Sequence, residues 1–119
     1  MNPILLPSNR PAERFYRGGA RISDFRGERA SAPREPEDWI ASTTAVNGEA
    51  LVGLTRLPDG RLLREAVADD PIAWLGERHV ARWGADTRLL VKLLDAGQRL
   101  PVHAHPHDCL LYTSPSPRD

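Results

Sequence analysis

The sequence predicts a β-rich α+β fold with short helical insertions, on three observations. Two apolar runs of strand length, at residues 39–46 and 89–94, flank a tract of helical spacing at 62–83. Eleven prolines and nine glycines among 119 residues interrupt the chain too often for long helices. A chain of this length supports one small domain with a modest core.

Residues 1–13 read as an irregular N-terminus, with the short apolar run Ile4-Leu5-Leu6 held between Pro3 and Pro7. They carry no basic leader, long apolar stretch or small-residue cleavage site, so a secretory signal is not expected. In Phe15-Tyr16-Arg17-Gly18-Gly19-Ala20-Arg21-Ile22 an aromatic pair and a Gly-Gly turn lead into an apolar position, which predicts order. Residues 23–37 offer only Phe25 for burial and read as a loop.

The run WIASTTAV at 39–46 is uncharged and rich in β-branched residues, which predicts a strand. Asn47-Gly48 supplies a turn, residues 51–57 form a second short strand, and Pro58-Asp59-Gly60 closes it. Leu62, Leu63, Ala66 and Val67 then recur at helical spacing. Asp70-Pro71 caps and starts a further helical turn that ends at Gly76. Residues 77–83 read as one more short helix with Val80 and Trp83 on a shared face. Trp39 and Trp74 are expected in the core. Leu89-Leu90-Val91-Lys92-Leu93-Leu94 restores strand character, and after a turn near Gly97 another strand is expected over residues 100–104.

Charge narrows the function classes. Sixteen Lys+Arg balance sixteen Asp+Glu, so no net field recruits nucleic acid or an anionic membrane. All the basic residues except Lys92 are arginines, the better partners for phosphate and carboxylate. No stretch approaches the length of a membrane span. The single cysteine, Cys109, excludes an internal disulfide framework, and a cytoplasmic location is expected.

The segment with the most chemical content runs from Gly97 to Pro106. A glycine is followed after five residues by His103, and His105 stands two positions further on. On a strand, residues two apart project to one face. Two neutral imidazoles converging there bind a divalent cation at about 2.0–2.1 Å each. The alternative is a pair of partly buried histidines hydrogen-bonded to backbone. His107 would face the other way, and His79, in a helical tract, reads as a surface residue.

The same region carries a family resemblance. LLVKLLDAGQRLPVHAHPHD resembles the LLxKLLDA…LSIQVHPDD stretch of class I mannose-6-phosphate isomerases. Leu90, Lys92, Leu93, Leu94, Asp95, Ala96, Leu100, His105, Pro106 and Asp108 match. Upstream, Glu37-Asp38-Trp39 with Ser42 resembles the family's Glu-x-Trp…Ser strand, and DPIAWLG at 70–76 resembles its dPexLLG segment. Arg17-Gly18-Gly19 stands where the family carries Trp-Gly-Gly. The likeness covers residues 14–108, and the block from Lys92 to Pro106 is its most specific part.

The resemblance implies a truncated cupin jelly roll with helical insertions and a zinc site built from Gln, His, Glu and His. His105 matches the first metal histidine, His103 the metal-binding glutamine, and Lys92 an active-site lysine near the metal. The glutamate and the last histidine would follow Asp108. Three residues depart from the pattern: His103 replaces glutamine, Pro101 serine and Arg17 tryptophan. A more nitrogen-rich site widens the expected metals from Zn(2+) to iron, manganese or nickel.

The implied reaction is aldose–ketose isomerisation of a sugar phosphate, mannose 6-phosphate to fructose 6-phosphate. Lys92 would hold a sugar oxygen or assist proton transfer, or else it is a strand lysine whose head reaches solvent. Arg17 would reach the phosphate, or else it is an exposed residue beside the Gly-Gly turn. The alternative function is a metal-binding cupin that holds a sugar or small acid without isomerising it. The closing CLLYTSPSPRD, residues 109–119, resembles a translated sequencing adaptor, with a natural Ser/Pro-rich tail as the alternative. With two of about four metal ligands, the chain by itself is expected to bind metal weakly and to be inactive.

Overall fold

The computed structural model describes residues 2–29 and 32–104. In chain order the elements are α1 (Arg21–Arg26), β1 (Glu37–Ile40), α2 (Leu63–Asp69), α3 (Pro71–Leu75), α4 (Glu77–Trp83) and β2 (Val91–Leu94). The two strands pair antiparallel with Glu37 opposite Leu94, Asp38 opposite Leu93, Trp39 opposite Lys92 and Ile40 opposite Val91. A sequence separation of more than fifty residues therefore closes on four residue pairs.

Neighbouring backbone extends this sheet on both sides. Asp95 N–H donates to the Pro36 carbonyl, Gly19 N–H to Asp95 and Gly97 N–H to Arg17, while Gly18 and Ala96 form an isolated bridge. The N-terminal segment covers β1, with Trp39 N–H donating to the Asn9 carbonyl at 2.9 Å. The Asn9 amide in turn donates to the carbonyls of Trp39, at 3.1 Å, and Gly53, at 2.7 Å. Residues expected to be irregular thus take up backbone groups that a longer ladder would otherwise satisfy.

Helices form where the spacing predicted them. Leu63, Ala66 and Val67 of α2 are buried and pack with Leu57 as one apolar cluster, against which Leu6, Trp74 and Leu75 lean. Asp70 caps α3 by accepting from Ala73 N–H at 3.3 Å, with Pro71 at its first turn, and Gly76 ends it. The α4 helix spans the residues read for it, yet buries none of them. Trp83 is exposed and flanked by the guanidinium groups of Arg82 and Arg88 at 4.8 and 4.4 Å from its ring.

Four local expectations are corrected. The strand expected over 39–46 is shorter and shifted, because Ala41 turns left-handed at φ 48° and Ser42 bonds to local backbone. Ser42 Oγ donates to the Thr44 carbonyl and accepts from Thr44 N–H, which competes with a ladder. Residues 51–57 form only the bridge between Arg56 and Leu62. The expected loop after residue 22 opens with α1, which buries Ile22 and Ser23 and leaves Phe25 exposed. Gly27, left-handed at φ 65°, ends that helix. Residues 100–104 carry no strand, Pro101 lacks an N–H to offer one, and Val102 is fully exposed.

Trp39 is 4% exposed, and its neighbour Gly53 explains how the ring fits. Gly53 has φ +94°, and a Cβ there would lie 2.9 Å from the indole carbons. Gly53→Ala is expected to lower stability by about 1–3 kcal/mol, through strain and a displaced indole. A fall in the thermal midpoint with an altered near-ultraviolet tryptophan signal checks this; an unchanged midpoint would show that the ring has room.

Candidate active site around Glu37 and Lys92

Residues two apart on β1 share a face, so Glu37 points the same way as Trp39, and the pairing sets Lys92 opposite Trp39. Glu37 is 4% exposed, a burial that a carboxylate tolerates only when its oxygens are occupied. Oε1 accepts the Tyr16 hydroxyl at 2.8 Å, and Oε2 accepts the Trp39 indole N–H at 2.6 Å. Two cations stand further back from Oε2: Arg14 Nε at 3.5 Å and Lys92 Nζ at 3.9 Å. The lysine head also lies 4.2 Å from the centre of the Trp39 ring, at cation–π distance.

One carboxylate thus faces two cations, leaving a unit of positive charge in excess beside a partly open surface. The Lys92 side chain is 30% exposed. Arg14 Nε is buried and lacks a hydrogen-bond partner among the described residues, a donor held near charge without contact. Burial raises the Tyr16 phenol far above its ordinary value of 10.0. The hydrogen bond to Glu37 and the repulsion of its carboxylate raise it further, and Arg14 opposes them. Tyr16 therefore stays a neutral donor.

The segment from Arg17 to Gly19 is bound to the chain that follows β2. Arg17 N–H donates to the Gln98 side chain at 3.0 Å, and Arg21 N–H donates to Asp95 Oδ2 at 2.8 Å. Gly97 allows the approach, since a Cβ there would collide with the Gly18 carbonyl. The Arg17 side chain is exposed. Of the residues singled out in the sequence, the structure places Lys92 in this cluster and carries Arg17 on the adjoining strap.

His103 is exposed and lies outside any strand, while His105 falls outside the described residues. Among the described residues, no three His, Cys, Asp or Glu side chains gather to hold a cation. The described residues do not by themselves assemble a metal centre. His79 ties α4 to the following loop through the Asp86 carbonyl, 2.7 Å from Nε2.

Sequence reasoning passed over Tyr16, Arg14 and Glu37 as site residues. Glu37 had a readable sign: an ionisable residue two places before a core tryptophan shares its buried face. A groove of about 590 Å³ lies elsewhere, lined by Leu6, Ile40, Val67, Trp74 and Val91 among others. None of its lining residues is ionisable.

No family model, curated protein or solved structure matches the chain. Among the described residues, no helix is long and apolar enough to cross a membrane.

Proposed function

We propose that the chain belongs to an aldose–ketose isomerase acting on a sugar phosphate, of the mannose 6-phosphate to fructose 6-phosphate type, in the cytoplasm. One observation supports this above others. Two segments that carry the resemblance, Arg17-Gly18-Gly19 and Glu37-Asp38-Trp39, both pair with the third, the run from Lys92 to Gln98. They lie up to 81 residues apart in sequence. The run that carries Lys92 is thus where the matching segments meet, with the amine beside Glu37 and Trp39.

Isomerisation removes a proton from the carbon beside the carbonyl and builds negative charge on the sugar oxygens. Lys92 suits those oxygens: among the described residues its three N–H donors make no hydrogen bond, and it sits where positive charge is in excess. Glu37 is held by two donors and is not the base. Arg17 offers a guanidinium to the phosphate from the adjoining strap. His103 and His105 are the proposed metal pair, with Zn(2+) first and iron, manganese or nickel as substitutes. A divalent cation held there would supply Lewis-acid polarisation of the carbonyl.

The test is a coupled assay for fructose 6-phosphate formation from mannose 6-phosphate, with added Zn(2+). It is run on this chain and on the longest open reading frame containing it. Lys92→Ala is expected to lower kcat/KM by roughly 100- to 1,000-fold. No turnover in either protein, or an unchanged kcat/KM in the variant, would sink the reading. Saturable sugar-phosphate binding without turnover would instead identify a binding module.

A further inference from the structure

A lysine side chain has four rotatable bonds, and fixing its head costs rotamer freedom. Lys92 is partly exposed, so burial alone does not hold its head in place. Two groups bear on it, the Trp39 ring at 4.2 Å and Glu37 Oε2 at 3.9 Å. Both belong to β1, and the indole N–H is itself bonded to Glu37. The carboxylate therefore fixes the ring and attracts the amine at once.

Those two contacts alone do not require a charge, since an amide could accept from the Trp39 N–H with its oxygen and donate its NH2 to the Tyr16 hydroxyl. The charge has work only toward Arg14 and Lys92. Both stand beyond hydrogen-bond length, at 3.5 and 3.9 Å, which steers the lysine without consuming its donors. We infer that Glu37 is a positioning residue for Lys92: with Trp39 it parks the ammonium in one place, its donors directed to an incoming anionic oxygen. This rests on the reading of Lys92 as the lysine that meets substrate.

Lys92 is the only lysine in the chain, so its amine can be observed alone. Reductive methylation with ¹³C-formaldehyde keeps the charge and labels Lys92 together with the chain terminus. The Lys92 methyl signal of the unaltered chain is expected upfield of free lysine, displaced by the Trp39 ring current. In Glu37→Gln most of that displacement should vanish while the Trp39 near-ultraviolet signal persists, and Glu37→Asp should restore part of it. A signal at the free-lysine position in the unaltered chain, or one unmoved in a folded Glu37→Gln chain, overturns the inference.

Acylation of the unlabelled chain gives a second measurement that needs no variant to fold. Lys92 is expected to react severalfold more slowly than free lysine, because the Trp39 ring and Glu37 cover one side of the amine. Equal rates overturn the inference. Neither experiment contains substrate or metal, so a failed isomerase assay leaves both readable. In an active protein Glu37→Gln is expected to lower kcat with KM kept within about threefold, as for a group acting on the transition state through its neighbour.

Discussion

Asp38→Ala is expected to lower stability by about 3–5 kcal/mol, the cost of removing one partner from a buried ion pair. Asp38 has no exposed surface. Its Oδ1 accepts Asn9 N–H at 2.9 Å, and its Oδ2 accepts Arg26 Nε at 2.8 Å and lies 2.7 Å from the second guanidinium nitrogen. Arg26 also donates to the Leu6 carbonyl. One carboxylate thus joins β1, α1 and the N-terminal segment. Alanine leaves a largely shielded guanidinium and a backbone N–H without acceptors. Small domains hold only about 5–15 kcal/mol in total, so the variant should lose a large share of its stability. Asp38→Asn keeps one acceptor and should lose less. Urea unfolding measures both, and a loss below about 1 kcal/mol for alanine would show the pair to be solvated. A cycle with Arg26→Ala should be strongly non-additive, because the two side chains share one interaction.

The contrast between Asp38 and Glu37 shows what the sequence could and could not reveal. Adjacent strand residues face opposite ways, so one acid serves packing and the other faces Lys92. Two consecutive carboxylates ordinarily read as a solvated turn, and only their partners reverse that. Those partners are Arg26, 12 residues away, and Tyr16, 21 residues away. Non-local pairing of this kind is not encoded in any local period.

What depends on local spacing was legible. The α2 cluster, the Asp70-Pro71 start of α3, the bounds of α4 and the strand character around Lys92 all follow from periodicity and capping. The residues at 39–46 misled because β-branched composition does not reveal Ala41's left-handed turn or the Ser42–Thr44 bonds that replace the ladder. The α1 helix was missed because only Ile22 and Ser23 bury, too few positions to register as a face. The pairing of Trp39 with Lys92, on which the site depends, became visible only when the strands met.

Raising the pH should weaken the fold through Tyr16, and Tyr16→Phe should remove that part of the loss. The native phenol is held neutral by burial, by its hydrogen bond to Glu37 and by the repulsion of that carboxylate. An unfolded tyrosine releases its proton near pH 10. The folded value is the higher one, so above pH 10 the unfolded state binds fewer protons than the native state, and stability falls as pH rises. The contribution is complete below pH 10 and is lost progressively from there up through the raised native value. The slope approaches about 1.4 kcal/mol per pH unit within that window. At neutral pH the phenylalanine variant should be weaker by about 1–3 kcal/mol, because Glu37 Oε1 loses its donor in a buried place. Above pH 10 the gap between variant and parent should narrow and then close. Urea midpoints collected from pH 7 to pH 11.5 measure the crossing. Parallel curves across that range would mean that Tyr16 ionises freely in the native chain, and that the carboxylate beside Lys92 is not enclosed as described.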